Sequence, residues 1–113
     1  MIESSCHCGV VRLKIDHAPE EVTDCNCSIC RRYGALWAYY SPAEVQVTND
    51  ATDIYMWGDK RAEFHRCKHC GCITHYNGPT RVGVNARLIE REVLARARVR
   101  QFDGADTRKY LDE

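Results

Sequence analysis

The sequence predicts a mainly β domain of short antiparallel strands with at most short helical turns. Apolar and polar residues alternate over short runs, the period of a strand with one buried face. Turn-forming groups built on Gly, Pro, Asn and Asp recur between those runs, at the spacing of an all-β domain.

Residues 10–15 alternate apolar and charged side chains from Val11 onward, and His17-Ala18-Pro19 ends the run. Residues 35–40, with Trp37, Tyr39 and Tyr40, read as a second and more buried strand whose aromatic side chains belong to the core. Ser41-Pro42-Ala43-Glu44 follows as a capped helical turn, with Pro at its first position and Glu placed to reach back. Residues 45–47, 54–57, 62–65, 73–76, 82–86 and 97–102 complete the strands. Trp57-Gly58-Asp59, Asn77-Gly78-Pro79 and Asp103-Gly104 are the turns between them. The stretch 88–97 is free of Gly and Pro and holds a short helix around 90–94.

A chain of 113 residues, 44% hydrophobic and 28% charged, is expected to form one domain over residues 1–113 with a core modest enough to gain from staples. Sixteen Lys and Arg balance sixteen Asp and Glu, which removes the main driving force for binding nucleic acid or an acidic membrane surface. The balance is uneven: residues 1–60 carry 5 basic against 9 acidic residues, and residues 61–113 carry 11 against 7. A local cationic face is therefore expected in the second half. The sequence has no apolar run of the ~18 residues that cross a bilayer, and Met1 to Cys6 lack the basic and apolar regions of a signal peptide. The expected location is the cytoplasm, where disulfides are rare, so eight cysteines point to metal.

Those cysteines fall into three groups. Cys67-x-x-Cys70-Gly71 has the spacing of a zinc knuckle, whose two thiolates converge on one tetrahedral ion, and Cys6-x-Cys8-Gly9 is the natural second pair. Disulfides or free core thiols are the competing reading of these four. Cys25-x-Cys27-x-x-Cys30 offers three thiolates from one irregular turn. Three ligands with an open fourth position is the pattern of a catalytic zinc, against the alternatives of a redox-active thiol pair or a second structural zinc. Cys72 is left over. On an extended chain it shares a face with Cys70 and could approach either metal, so it is a small buried hydrophobe, a fourth ligand that closes the triad, or an uncoordinated reactive thiol near the triad, on which a redox reading would rest.

Cys6-His7-Cys8-Gly9-x-Val11, Cys25-Asn26-Cys27-Ser28-x-Cys30-Arg31-Arg32-x-Gly34, Cys67-x-x-Cys70-Gly71, Val84-Asn85-x-Arg87 and Phe102-Asp103-Gly104 together resemble the glutathione-dependent formaldehyde-activating enzyme family, which includes centromere protein V relatives. The resemblance runs from Cys6 to Gly104. It implies a β-tent fold, sheets arranged around a structural zinc on Cys6, Cys8, Cys67 and Cys70. The resemblance implies a second, catalytic zinc on Cys25, Cys27 and Cys30, two per chain. It also implies a carbon–sulfur lyase acting on S-hydroxymethylglutathione, or the reverse condensation of formaldehyde with glutathione. Cys72 departs from the family pattern, in which many relatives place Thr after the knuckle glycine.

A zinc carrying three thiolates is a weak Lewis acid and a good partner for an exchangeable substrate thiolate. His75 and His65 are the candidate bases nearest in sequence to the cysteines, although a lone strand histidine has no motif behind it and a structural role competes. His7 and His69 lie inside the knuckle loops and are read as shielding the metal. Asn26 and Ser28 are read as turn-forming residues within the triad. Arg31, Arg32 and Arg87 are candidates to bind substrate carboxylates bidentately, with Asn85 beside them, and a solvated surface is the alternative for each. The leading function is a zinc-dependent lyase with a small-molecule thiol such as glutathione as partner. A non-catalytic zinc-binding interaction module and a thiol redox or metal-sensing protein are the alternatives. Exposed strand edges leave monomer or homodimer open.

Overall fold

Residues 1–48 and 51–112 are described by the computed structural model, which is mainly β. Two sheets carry the chain. The smaller has the strand order β1 (Ile2–Ser5), β2 (Arg12–Ile15), β5 (Val45–Val47). The larger runs β10 (Arg98–Phe102), β3 (Glu21–Cys25), β4 (Trp37–Tyr40), β9 (Val82–Asn85), β8 (Ile73–Asn77), β7 (Glu63–Cys67), β6 (Thr52–Tyr55). Helices are short: α1 (Ser28–Tyr33), α2 (Arg91–Leu94) and 3-10 turns at Pro42–Glu44 and Ala86–Leu88.

The expected strands at residues 10–15, 35–40, 45–47, 54–57, 62–65, 73–76, 82–86 and 97–102 are all present with boundaries shifted by a residue or two, and α2 lies within the expected 90–94. The turn at Ser41 forms as read, with the Ser41 amide donating to Glu44 Oε1 at 2.8 Å. Three elements are additional. β1 and β3 are polar strands stabilised by pairing, and α1 replaces the irregular turn expected around the triad. One pairing departs from the antiparallel expectation: β10 runs parallel to β3, with Phe102 opposite Cys25. A parallel neighbour requires a long return connection, and the chain between these strands supplies it by building most of the large sheet first.

β4 divides the interior. Ala38 and Tyr40 face the main apolar core with Val11, Leu13, Ile15, Val22, Val84 and Ile89. Trp37 faces a second, aromatic cluster with Phe64, Cys25 and Cys30, bordered by Tyr33, Tyr39, Tyr76 and Phe102. Burying each large aliphatic or aromatic side chain contributes about 1.5–3 kcal/mol, so the first core anchors the two sheets and the second anchors the cysteine triad. No helix among the described residues is long and apolar enough to cross a membrane.

Candidate functional site

Two groups of sulfurs converge, each with its members within 4.8 Å of one another: Cys6, Cys8, Cys67 and Cys70, and Cys25, Cys27 and Cys30. The first arises where two turns meet. Between β1 and β2 the Gly9 amide bonds Cys6 O at 3.1 Å, and between β7 and β8 the Gly71 amide bonds Cys67 O at 3.0 Å. Both glycines have positive φ, +82° and +80°, a conformation other residues reach only with strain. The turns bring Cys8 Sγ to 3.6 Å from both Cys6 Sγ and Cys67 Sγ. This joins the small sheet to the large one.

The second group is built differently. Cys25 ends β3, Cys27 caps α1 by accepting the Cys30 amide on its sulfur at 3.5 Å, and Cys30 is buried on the first turn of α1. The helix stops at Gly34 in the left-handed region, whose carbonyl accepts Arg87 Nε at 2.7 Å. Behind the triad, the Trp37 indole donates to Cys30 Sγ at 3.2 Å. The Cys25 thiol is held down at about 6, first by hydrogen bonding from Cys30 and further by the Cys27 and Gly104 amides. Cys30 is pushed up by that same bond and by burial.

The donor chemistry of both groups fits a thiolate-bound metal. N–H groups point at the sulfurs: Val11 to Cys6 at 3.3 Å, His69 and Cys70 to Cys67 at 3.4 and 3.5 Å, and Trp37 to Cys30. Such donors favour the ionised thiol that a metal requires.

Cys25, Cys27 and Cys30 lie on the wall of a cleft of about 620 Å³, together with Trp37, Tyr39, Phe64, Tyr76 and three arginines, Arg61, Arg81 and Arg108. The Arg81 guanidinium rests 3.7 Å over the Tyr39 ring. Burial pushes the Tyr39 and Tyr76 phenols up, and their hydroxyls interact with each other. Trp37 and Tyr39, expected only in the core, therefore also face the cleft, whereas Tyr40 stays in the core and donates to His17 O at 2.9 Å.

The other expected site residues are not gathered there. His65 and His75 do not line the cleft. Strand alternation explains this, because their neighbours Phe64 and Tyr76 take the cleft side and leave the two rings stacked 4.3 Å apart on the other. His75 is buried, bonded to Thr74 Oγ1 at 2.9 Å, and pushed down to about 4 by burial and by His65, so it is neutral at pH 7.

Asn85 donates to Ile73 O at 2.8 Å and accepts the Arg87 amide. Arg87 and Asn85 thus tie the end of α1, β8 and the turn after β9 together. Arg31 is exposed on α1, and Arg32 donates to Ser28 O at 2.7 Å beside a smaller hollow lined by Ile29, Tyr55 and Trp57. Cys72 packs against the main core and interacts with Cys70, and its sulfur is not grouped with those of the triad. Asn26 bonds across to Asp103 and the Ala105 amide rather than within the triad turn.

A solved structure of a Rhodobacter sphaeroides protein is 26% identical to this chain, with a TM-score of 0.75 over 87% of this chain and 99% of the other. Residues 1–103, which hold every cysteine, match the description glutathione-dependent formaldehyde-activating enzyme, and the chain belongs to that family.

Proposed function

We propose that the protein is a zinc-dependent carbon–sulfur lyase that splits, or in reverse forms, a small thiol–aldehyde adduct of the S-hydroxymethylglutathione kind. One observation carries the reading: three cysteine sulfurs converge on the wall of a large cleft, and no fourth Cys, His, Asp or Glu is grouped with them among the described residues. The family's glutathione-dependent formaldehyde activation supports the choice of thiol and aldehyde. Cys25, Cys27 and Cys30 would hold a zinc here, and Cys6, Cys8, Cys67 and Cys70 a structural one that staples the two sheets.

Bound at the triad, zinc supplies an electrophilic position that keeps a substrate sulfur deprotonated at neutral pH. The chain's own residues do the rest. Trp37 and the amides of Cys27 and Gly104 stabilise the ligand thiolates. Tyr39 and Tyr76 retain their protons at neutral pH and therefore donate hydrogen bonds in the cleft, rather than acting as bases. In the condensing direction a sulfur lone pair forms the C–S bond and the carbonyl π pair moves to oxygen. That oxygen takes a proton through the phenols. In the lyase direction the hydroxyl proton returns to solvent along the same phenols, each giving up its own proton as it takes one, the C=O bond forms, and the C–S pair returns to sulfur.

Metal analysis and cobalt substitution test the reading. Two equivalents per chain are expected, with thiolate charge-transfer bands that shift when glutathione is added, and turnover of S-hydroxymethylglutathione followed by NMR. One equivalent, or bands indifferent to thiol, would sink the mechanism.

A further inference from the structure

Arg61, Arg81 and Arg108 line the cleft, and among the described residues none of their guanidinium groups forms an ion pair. Elsewhere Arg66 pairs with Asp53, and Arg98 and Arg100 with Asp112, while Arg12, Arg31, Arg32, Arg87, Arg91 and Arg96 form no ion pair among the described residues either; the cleft arginines differ in being gathered around one cavity. Among the described residues Asp59 is the one acidic residue on the cleft wall, and one of its oxygens is taken by the Arg61 amide at 3.2 Å. Arg81 rests on the Tyr39 ring, but no carboxylate pairs with the three cations, and grouping like charges around a cavity is electrostatically unfavourable until an anion enters, so the arrangement is complementary to an anionic ligand.

Arg108 carries a second mark. Its φ is +59°, a conformation that costs an ordinary side chain ~1–2 kcal/mol and that Gly or Asn adopts more readily. A turn that needed only closure would be better served by either of those. The loop holding it is tightly tied: the Arg108 amide bonds Asp103 O at 2.7 Å, the Asp103 amide bonds Lys109 O at 2.8 Å, and Asp103 Oδ2 accepts both the Thr107 amide and Thr107 Oγ1. At the foot of the same loop, Gly104 lies against Cys25 Sγ. The loop thus touches the triad at one end and lines the cleft with Arg108 at the other. It also lies beyond residue 103, where the match to the family ends.

We infer that Arg81 and Arg108 form a carboxylate subsite, and that Arg108 makes the cleft selective for thiols bearing a carboxylate. The inference rests on the lyase reading only for the ligand being a thiol. Guanidinium groups pair with carboxylates bidentately, so the subsite fixes the thiol's orientation as well as its charge.

The probe is S-methylglutathione, a thioether that keeps both carboxylates and has no ionisable sulfur, compared with its dimethyl ester by calorimetry on the zinc-loaded protein. The wild-type protein is expected to prefer the acid by about tenfold, the scale of one exposed charge-assisted pair, and Arg108→Gly to lose that preference. Because glycine relieves the left-handed backbone, Arg108→Gly is also expected to unfold at a temperature equal to or above wild type. Arg108→Lys retains part of the preference. Equal binding of acid and ester by the wild type, or an undiminished preference in Arg108→Gly, overturns the subsite. An Arg108-dependent preference in a protein that does not turn over the adduct upholds the subsite and removes the lyase reading.

Discussion

Asn26 Nδ2 donates to Asp103 Oδ1 at 3.0 Å, and Asn26 Oδ1 accepts the Ala105 amide at the same distance. One side chain between two triad cysteines therefore clasps a turn 77 residues away in the sequence. The Asn26 amide adds a third bond, to Phe102 O at 3.2 Å. Asn26→Ala leaves the Ala105 amide and one Asp103 oxygen without these partners. It is expected to destabilise the metal-loaded protein by about 1–3 kcal/mol and to weaken metal binding at the triad. Denaturant unfolding and competition with a chelator measure the two effects; wild-type values for both would show that the clasp does not order the triad.

Gly104 is expected to tolerate no side chain. A Cβ there would stand 2.7 Å from Cys25 Sγ, closer than real contacts allow, and a tight 3.2 Å from Cys27 Cβ. Neither neighbour is a flexible side-chain tip, since both belong to the triad. Gly104→Ala should therefore displace Cys25, cut bound metal from two equivalents towards one, and abolish turnover while the folded core persists. Retention of two tightly bound equivalents would contradict this.

The Trp37 indole acts on Cys30 rather than only filling space. Its N–H donates to the sulfur at 3.2 Å and favours the ionised thiol, opposing the upward push of the Cys25 bond and burial. Trp37→Phe removes that donor, so the thiol becomes harder to ionise. Metal must then compete against more tightly held protons, and the midpoint of metal loading at the triad is expected to move to higher pH. Lost packing adds a stability cost of about 1–2 kcal/mol, because Trp37 is almost entirely buried. A pH titration of cobalt loading reads the first effect; an unmoved or lowered midpoint would refute it.

Local signals in the sequence were readable and distant ones were not. The alternation of Val11, Leu13 and Ile15 predicted β2 because the period is a property of the strand itself. β1 and β3 escaped because Glu3, Ser4 and Asp24 break that period, and their place is fixed by partners far along the chain. The six residues of α1 are too few to show helical periodicity, and the cap is a cysteine sulfur rather than a Ser, Asp or Asn. Thiol spacing identified both cysteine groups, since Cys67-x-x-Cys70 converges within one turn and Cys25-x-Cys27-x-x-Cys30 across the junction of β3 and α1. The arginine wall had no such signature, because Arg61, Arg81 and Arg108 come from three separate loops. Nearness in sequence to Cys67 made His65 attractive, but a single residue of displacement along a strand reverses the face.

The two sulfur groups should respond differently to loss of metal. Cys6 and Cys67 are 2% and 1% exposed within the main core, where they join the sheets, whereas Cys27 is only half-buried beside an open cleft. A chelator is expected to withdraw the triad metal first, ending turnover with the fold intact, and the knuckle metal later, with cooperative unfolding. Cys27→Ser should mimic the first stage. Cys67→Ser should mimic the second. Cys72→Ala should do neither: Cys72 is absent from both converging groups, so two equivalents remain bound and only a small packing loss follows. Circular dichroism recorded alongside released zinc separates these cases. Loss of one equivalent from Cys72→Ala, or unfolding that accompanies the first ion released, would show that the division of the eight thiols into four, three and one is wrong.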